Sequence, residues 1–167
     1  MLSEELKKYI GRSDEVTVYE VEKGAIRKFA DAVGETNPLY WDEEYARNSR
    51  YGSIIAPPGF FGWPTSPGGG SFVFFGKTKE DEPPPLEKEI EDSLAEAGYS
   101  RVLDGGIEYE FLLPVRAGDT LSASTTIKDI TERKGRSGQL AFVIRETTYL
   151  NQDGALVARV RQTLIHR

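Results

Sequence analysis

The segment from Ile107 to Ile127 reads IEYEFLLPVRAGDTLSASTTI, and its pattern decides the fold class. On both sides of the stretch Pro114–Asp119, apolar and polar residues alternate with a period of two. Such alternation is typical of β-strands that bury one face. The segment therefore predicts two strands around a turn.

Two more strands are predicted on the C-terminal side of this segment. Leu140–Leu150 carries apolar residues on both faces, and alternation returns from Leu156 to Leu164 after the turn Asn151–Gly154. Strands of this length favour a strongly curved antiparallel sheet, whose apolar face has to be covered. The apolar, Gly/Pro-rich segment around residues 56–64 is the expected cover.

The N-terminal half of the chain has helical patterns after a first short strand at residues 16–21. A first helix is predicted because apolar residues recur at helical spacing up to Gly34, and its core residues are expected to be Ile26, Phe29 and Val33. A second, short helix is predicted near residues 43–48, and a third over residues 86–94. Asp42 is the expected N-cap of the second helix. The third is indicated by apolar residues at helical spacing before Gly98.

Length, charge and composition restrict the function classes. The chain has 167 residues, a net charge of −6 and no basic patch, so a nucleic-acid partner is not expected. It has no Cys and one His, so we expect no metal site and no cofactor. A membrane segment and a signal-like start are both missing, which predicts a cytoplasmic location without a membrane partner. Residues 1–167 are expected to form one α+β domain, with an inserted excursion at about 65–100.

A second informative segment precedes the strands. Residues 29–42 read FADAVGETNPLYWD and resemble the motif FAxxxGDxNPxHxD of the MaoC-like (R)-specific enoyl-CoA hydratase and dehydratase family. YGSIIAPPGF at 51–60 and LPVRAGDTL at 113–121 resemble further segments of that family, in the same order. The chain is most similar to the N-terminal half-domain type and to the non-catalytic subunit of mycobacterial (3R)-hydroxyacyl-ACP dehydratases. This resemblance implies a hot-dog fold, in which a curved antiparallel sheet wraps around a central helix.

The resemblance also implies a chemistry: reversible addition of water to a trans-2-enoyl thioester. In active members an Asp and a His five residues later act as general base and acid, and a backbone N–H stabilises the enolate. This chain has Glu35 at the Asp position and Tyr40 at the His position. Tyrosine, with an ordinary pKa of about 10, is a poor proton shuttle near neutrality. Pro58, near the expected N–H donor, has no N–H, although Gly59 offers one at an offset of one residue.

These departures predict an acyl-thioester-binding, non-catalytic subunit of a heteromeric 2-enoyl-CoA (or acyl-ACP) hydratase or 3-hydroxyacyl dehydratase. Its partners would be an acyl-CoA or acyl-ACP thioester and a catalytic hot-dog subunit, or a second copy in a homodimer. Glu35 and Tyr40 would be the degenerate dyad positions. The substrate-binding residues would be Asn37, Pro58, Gly59, Phe72, Phe74 and Phe75.

Other functions stay open at the level of the sequence. The chain fits a self-sufficient homodimeric hydratase or a hot-dog thioesterase that uses Glu35, and also a binding module that senses acyl-CoA. Arg47 and Arg50 are candidates for contacts to coenzyme A phosphates, although solvated surface arginines are commoner. The phenylalanines at 72–75 fit plain core as well as a pocket lining.

Overall fold

The structure, a computed structural model, describes residues 4–61, 85–135 and 138–167. Antiparallel strands form one sheet in the order β1-β3-β4-β5-β2. The strands are β1 (Thr17–Glu20), β2 (Val102–Phe111), β3 (Thr120–Gly135), β4 (Gly138–Leu150) and β5 (Leu156–His166). The helices are α1 (Glu4–Lys7), α2 (Lys23–Ala32), α3 (Glu43–Asn48) and α4 (Pro85–Glu96), with a 3₁₀ turn at Pro38–Tyr40.

The long strands form where alternation predicts them, but strands that are consecutive in the chain are not all neighbours in the sheet. β2 and β3 do not pair across the turn between them. β2 pairs with β5, with Tyr109 opposite Val160, while β3 pairs with β1 and β4. The link at residues 112–119 therefore joins strands three positions apart in the sheet, about 14 Å at the usual strand spacing. Alternation specifies the buried face of a strand and not its neighbour, because it is a property of that strand alone.

The predicted helices are present, with one error in the expected core. In α2, Ile26 is fully buried and Phe29 packs partly buried against the core, as predicted. Val33 is wrong as a core residue, because its exposed fraction is 58%. The helix ends at Ala32, and Val33 is its C-cap with non-helical dihedral angles, followed by Gly34 at φ 71°. The helical spacing therefore no longer holds at Val33.

Among the described residues, one buried cluster covers part of the sheet with the predicted apolar segment. Ile54, Ile55, Phe60 and Phe61 share this cluster with Leu121, Val157 and Val160 of the sheet and with Ile26 of α2. The expected cover at 56–64 is confirmed as far as residue 61, where the first described range ends.

The second cluster packs α4 against β3 and β4. Leu86, Ile90 and Leu94 of α4 are buried with sheet residues and with the N-terminal arm, namely Ile127, Ile130, Ala141, Val143, Leu6 and Tyr9. The C-terminal part of the predicted excursion therefore contributes to the core, while residues 65–84 of it lie outside the described ranges. An antiparallel sheet packed against a helix is the α+β hot-dog arrangement that the sequence predicts.

Candidate functional site

The loop between α2 and α3 carries the two degenerate positions and is held by its own hydrogen bonds. The Glu35 carboxylate accepts the backbone N–H groups of Thr36 at 3.1 Å and Asn37 at 3.3 Å. The Trp41 indole N–H donates to the Glu35 carbonyl at 2.9 Å. The Asn37 side-chain oxygen accepts the N–H of Leu39 at 3.1 Å and so begins the 3₁₀ turn. Both polar side chains therefore stabilise the loop backbone.

Tyr40 is a buried tyrosine whose pKa is raised. Its exposed fraction is 7%. Burial raises the pKa of Tyr40, and the charge of Glu35 and the neighbouring Tyr51 raise it further. A tyrosine with a raised pKa is a poorer proton shuttle near neutral pH, while its protonated hydroxyl is able to donate a hydrogen bond.

Pro58 and Gly59 occupy the two central positions of a tight turn. The N–H of Phe60 donates to the carbonyl of Pro57 at 3.0 Å, and Gly59 has φ 89°. A proline followed by a residue with positive φ defines a type II turn. Within the described ranges the N–H of Gly59 donates to no backbone carbonyl. Gly59 thus has an N–H to offer a ligand at this turn, and Pro58 has none.

These loops surround a cleft of about 650 Å³. Asn37, Tyr40, Pro58 and Gly59, all predicted as site residues, line it together. Glu35 is not part of the lining, and the predicted Phe72, Phe74 and Phe75 lie outside the described residues. The remaining lining residues are Leu39, Arg50, Tyr51, Ile55, Ala56, Pro57, Phe60, Phe61, Phe111, Leu112, Leu113, Pro114 and Val115.

One wall of the cleft comes from the link between β2 and β3. Ala56 donates its N–H to the carbonyl of Val115 at 2.8 Å, and Ala117 donates to the carbonyl of Ile54 at 3.0 Å. These bonds bring the segment LPVRAGDTL against the segment YGSIIAPPGF. The sequence did not lead to Leu112 or Leu113 as lining residues, although Leu113 lies in the segment 113–121 that resembles the family.

Aromatic rings pack beside the cleft and make its floor apolar. Phe61 stacks on Tyr149, with ring centroids 4.2 Å apart, and lies 6.1 Å from Phe111. Phe60 contacts Phe29 of α2 at 4.9 Å. A cleft of this size with an apolar lining and few polar groups is typical of sites for small organic ligands.

Within residues 4–61, 85–135 and 138–167, no helix has both the length and the apolar character needed to cross a membrane. The same ranges contain no group of three or more side chains suited to hold a metal ion.

The fold and the cleft define the chain as a hot-dog domain of dehydratase type. Residues 8–160 match the family described as FAS1-like, dehydratase domain region, and the chain belongs to this family. A protein named UPF0336 protein from Streptomyces griseus is 32% identical over 160 residues, which are 95% of this chain and 93% of that protein. A protein named "Probable enoyl-CoA hydratase alpha subunit" from Thermomonospora curvata is 33% identical over 141 residues, which are 84% of this chain and 43% of that protein.

Solved structures share the fold of this chain. The ChsH1-ChsH2 complex from Mycobacterium tuberculosis has a chain with a TM-score of 0.77 at 21% identity, covering 97% of this chain and 93% of that one. The HadBC (3R-hydroxyacyl-ACP dehydratase) complex from the same organism has a chain with a TM-score of 0.63 at 24% identity. The match covers 94% of this chain and 96% of that one. These similarities confirm the predicted hot-dog fold.

Proposed function

We propose that this chain is the acyl-thioester-binding, non-catalytic subunit of a heteromeric, cytoplasmic (R)-specific 2-enoyl-CoA (or acyl-ACP) hydratase or 3-hydroxyacyl dehydratase. One observation carries the proposal. The cleft is built from the segments that resemble the hydratase family, yet the Glu35 carboxylate is bonded to its own loop and Tyr40 holds its proton.

The cleft suits an acyl thioester in size and in polarity. Ligand pockets of roughly 300–1,000 Å³ accommodate small organic molecules, and this cleft of about 650 Å³ is mainly apolar. Tyr40 and the N–H of Gly59 provide donors toward a thioester carbonyl. The apolar residues of the link, including Leu113, provide surface for the acyl chain.

The loop geometry argues against an acid-base pair in this subunit. Hydration needs one group to take a proton from water and another to deliver one, with pKa values near the working pH. The raised pKa of Tyr40 moves it further from that range. The carboxylate of Glu35 is turned to the N–H groups of Thr36 and Asn37 and lies outside the cleft lining.

Relatives named as parts of assemblies support a catalytic partner. ChsH1-ChsH2 and HadBC are named as complexes, and the Thermomonospora curvata relative is named as an alpha subunit. In the proposed assembly, a second hot-dog chain supplies the general base and acid, and this chain supplies part of the acyl site.

A self-sufficient hydratase or thioesterase that uses Glu35 is the second candidate. Its support is that the charge of Glu35 contributes to the raised pKa of Tyr40, so the two side chains lie within electrostatic range. In that case Glu35 would have to leave its loop hydrogen bonds and activate a water molecule.

The test is hydration of short, long and branched trans-2-enoyl-CoA substrates by the purified chain alone, with product stereochemistry and free thiol recorded. We expect no turnover, but binding of a saturated acyl-CoA by calorimetry. A (3R)-hydroxyacyl product or a free thiol that is lost in Glu35→Gln and kept in the control Glu44→Gln would contradict the proposal. Glu44 is an exposed carboxylate on α3, outside the cleft lining.

A further inference from the structure

Among the described lining residues of the cleft, Arg50 is the single charged one. The others are apolar residues, tyrosines, an asparagine and glycine. A cation beside an apolar cleft, in a chain whose net charge is −6, favours a ligand that combines an apolar body with a negative group. Arg50 is exposed and therefore reachable by such a group.

The backbone that presents Arg50 is fixed by hydrogen bonds. Arg50 and Tyr51 are the central residues of a turn in which Gly52 donates its N–H to the carbonyl of Ser49 at 3.2 Å. The hydroxyl of Ser49 accepts the N–H of Tyr51 at 3.1 Å. The guanidinium of Arg116 donates to the carbonyl of Tyr51. The turn is thereby joined to the link that forms the facing wall of the cleft.

The guanidinium of Arg50 is oriented by Tyr51, and no described carboxylate pairs with its charge. Its central carbon lies 4.7 Å from the centroid of the Tyr51 ring, and Nη2 donates to the Tyr51 hydroxyl at 2.5 Å. It forms no ion pair with a carboxylate in the described ranges. A guanidinium has five N–H donors in a planar fork suited to phosphate, so most of its donors remain for a ligand.

Arg47, the other arginine beside this turn, is placed differently. It lies on α3, outside the lining of the cleft, and borders a smaller depression with Lys23 and Glu43. The hydrogen bond from Lys23, and then the charges of Lys23, Arg27 and Arg47, lower the pKa of Glu43. The positive charge of Arg47 is thus partly balanced by a carboxylate, and Arg47 serves as a matched control.

We propose that Arg50 recognises a phosphate group on the pantetheine arm of the acyl thioester. The inference rests on the proposed function and adds the residue that anchors the carrier end of the ligand. Coenzyme A and phosphopantetheinylated acyl carrier protein share this chemistry, because both have a phosphate at the end of the pantetheine arm. Bidentate contact with Arg50 would anchor that end while the acyl chain occupies the apolar cleft.

The experiment compares three saturated acyl ligands that cannot be hydrated: acyl-pantetheine, acyl-phosphopantetheine and acyl-CoA. Calorimetry gives Kd for the wild-type chain and for Arg50→Gln, Arg50→Lys and Arg47→Gln. Losing a charge-assisted hydrogen bond weakens binding roughly tenfold to a hundredfold. We expect that loss in Arg50→Gln for the phosphate-bearing ligands, a smaller loss in Arg50→Lys, and none for acyl-pantetheine or in Arg47→Gln.

The outcomes separate the inference from the proposed function. A loss for both phosphate ligands supports the inference, because it assigns Arg50 to the phosphate that both carriers share. A loss confined to acyl-CoA overturns it, because Arg50 would then contact only the nucleotide phosphates of coenzyme A. An equal loss for all three ligands, or no loss in Arg50→Gln, would overturn the inference while thioester binding stands. If the wild-type chain binds none of the ligands, the proposed function fails first. Thermal unfolding of each variant confirms that the fold is intact.

Discussion

At the scale of single residues, the one histidine of the chain, His166, is buried beside charged side chains that affect its pKa. The exposed fraction of His166 is 5%, and it lines a cavity of about 30 Å³ together with Asp14, Glu87, Glu91 and Arg145. Burial lowers the pKa of His166, and the positive charge of Arg145 lowers it further. In the unfolded chain the histidine has its ordinary pKa of about 6.5. Between that pH and the lowered pKa of the folded chain, the unfolded chain therefore binds a proton that the folded chain does not.

The contribution of His166 to stability is accordingly present above pH 6.5 and is lost as the pH falls through the lowered pKa. We expect the free energy of unfolding, measured with urea, to fall between pH 7.5 and pH 5.5. In His166→Gln this decrease should be smaller, even if the variant is less stable at both pH values. Comparing the two decreases removes the effect of Asp14, whose pKa is raised by burial and which acts in the opposite direction. Equal decreases in both proteins would contradict the assignment.

At the scale of elements, α4 is held to the sheet and to the N-terminal arm by an apolar face and by half-buried polar contacts beside it. Leu94 is fully buried, and Glu87 pairs with Arg145 of β4 at 2.6 Å. The hydroxyl groups of Tyr9 and Ser93 lie 2.7 Å apart. We expect Leu94→Ala to reduce the free energy of unfolding by about 2–5 kcal/mol, because it leaves a cavity under the helix. The exposed Glu91→Ala should change it by less than about 0.5 kcal/mol, and similar values for both variants would show that α4 contributes little.

At the scale of the whole molecule, the sheet ends in an edge strand with a large apolar surface. β2 pairs only with β5 among the described strands, and its exposed apolar residues are Val102, Leu103, Ile107, Tyr109 and Phe111. Long apolar edge strands invite pairing with another chain. This edge is where we expect the second hot-dog chain, whether a catalytic partner or another copy.

The corresponding measurement is the sedimentation mass of the chain, alone and with a candidate partner. Ile107→Lys should weaken association at least tenfold, because it places a charge on the apolar edge. The control is Val18→Lys on β1, the opposite edge of the sheet, where an equally apolar residue with an exposed fraction of 61% is replaced. If Val18→Lys weakens association and Ile107→Lys does not, the contact lies at β1.

Local signals accounted for most of the elements. Asp42 caps α3 as predicted, accepting the N–H groups of Glu44 at 2.9 Å and Tyr45 at 3.0 Å. Val33 was wrong, because the helix stops one residue before the apolar spacing does. Of the candidate site, Asn37, Tyr40, Pro58 and Gly59 were chosen from a resemblance in sequence and do meet in one cleft. Leu112 gave no decisive signal in the sequence. Arg47 and Arg50 were equal candidates for phosphate contacts, and only the structure places Arg50 alone of the two at the cleft.

The sequence by itself determined the strands, the three longer helices α2, α3 and α4, and the family resemblance, since each depends on spacing, capping or turn residues within a few positions. Only the tertiary structure decided that β2 pairs with β5, and that the link at 112–119 closes a cleft over the turn at Pro58 and Gly59. It also decided that the Glu35 carboxylate faces its own loop and that Arg50, unlike Arg47, borders the cleft. The strand pairing and the closing of the cleft depend on contacts between residues far apart in the chain, whose energies no local pattern records. The orientation of Glu35 depends on hydrogen bonds to the next two residues, which the residue type alone does not specify.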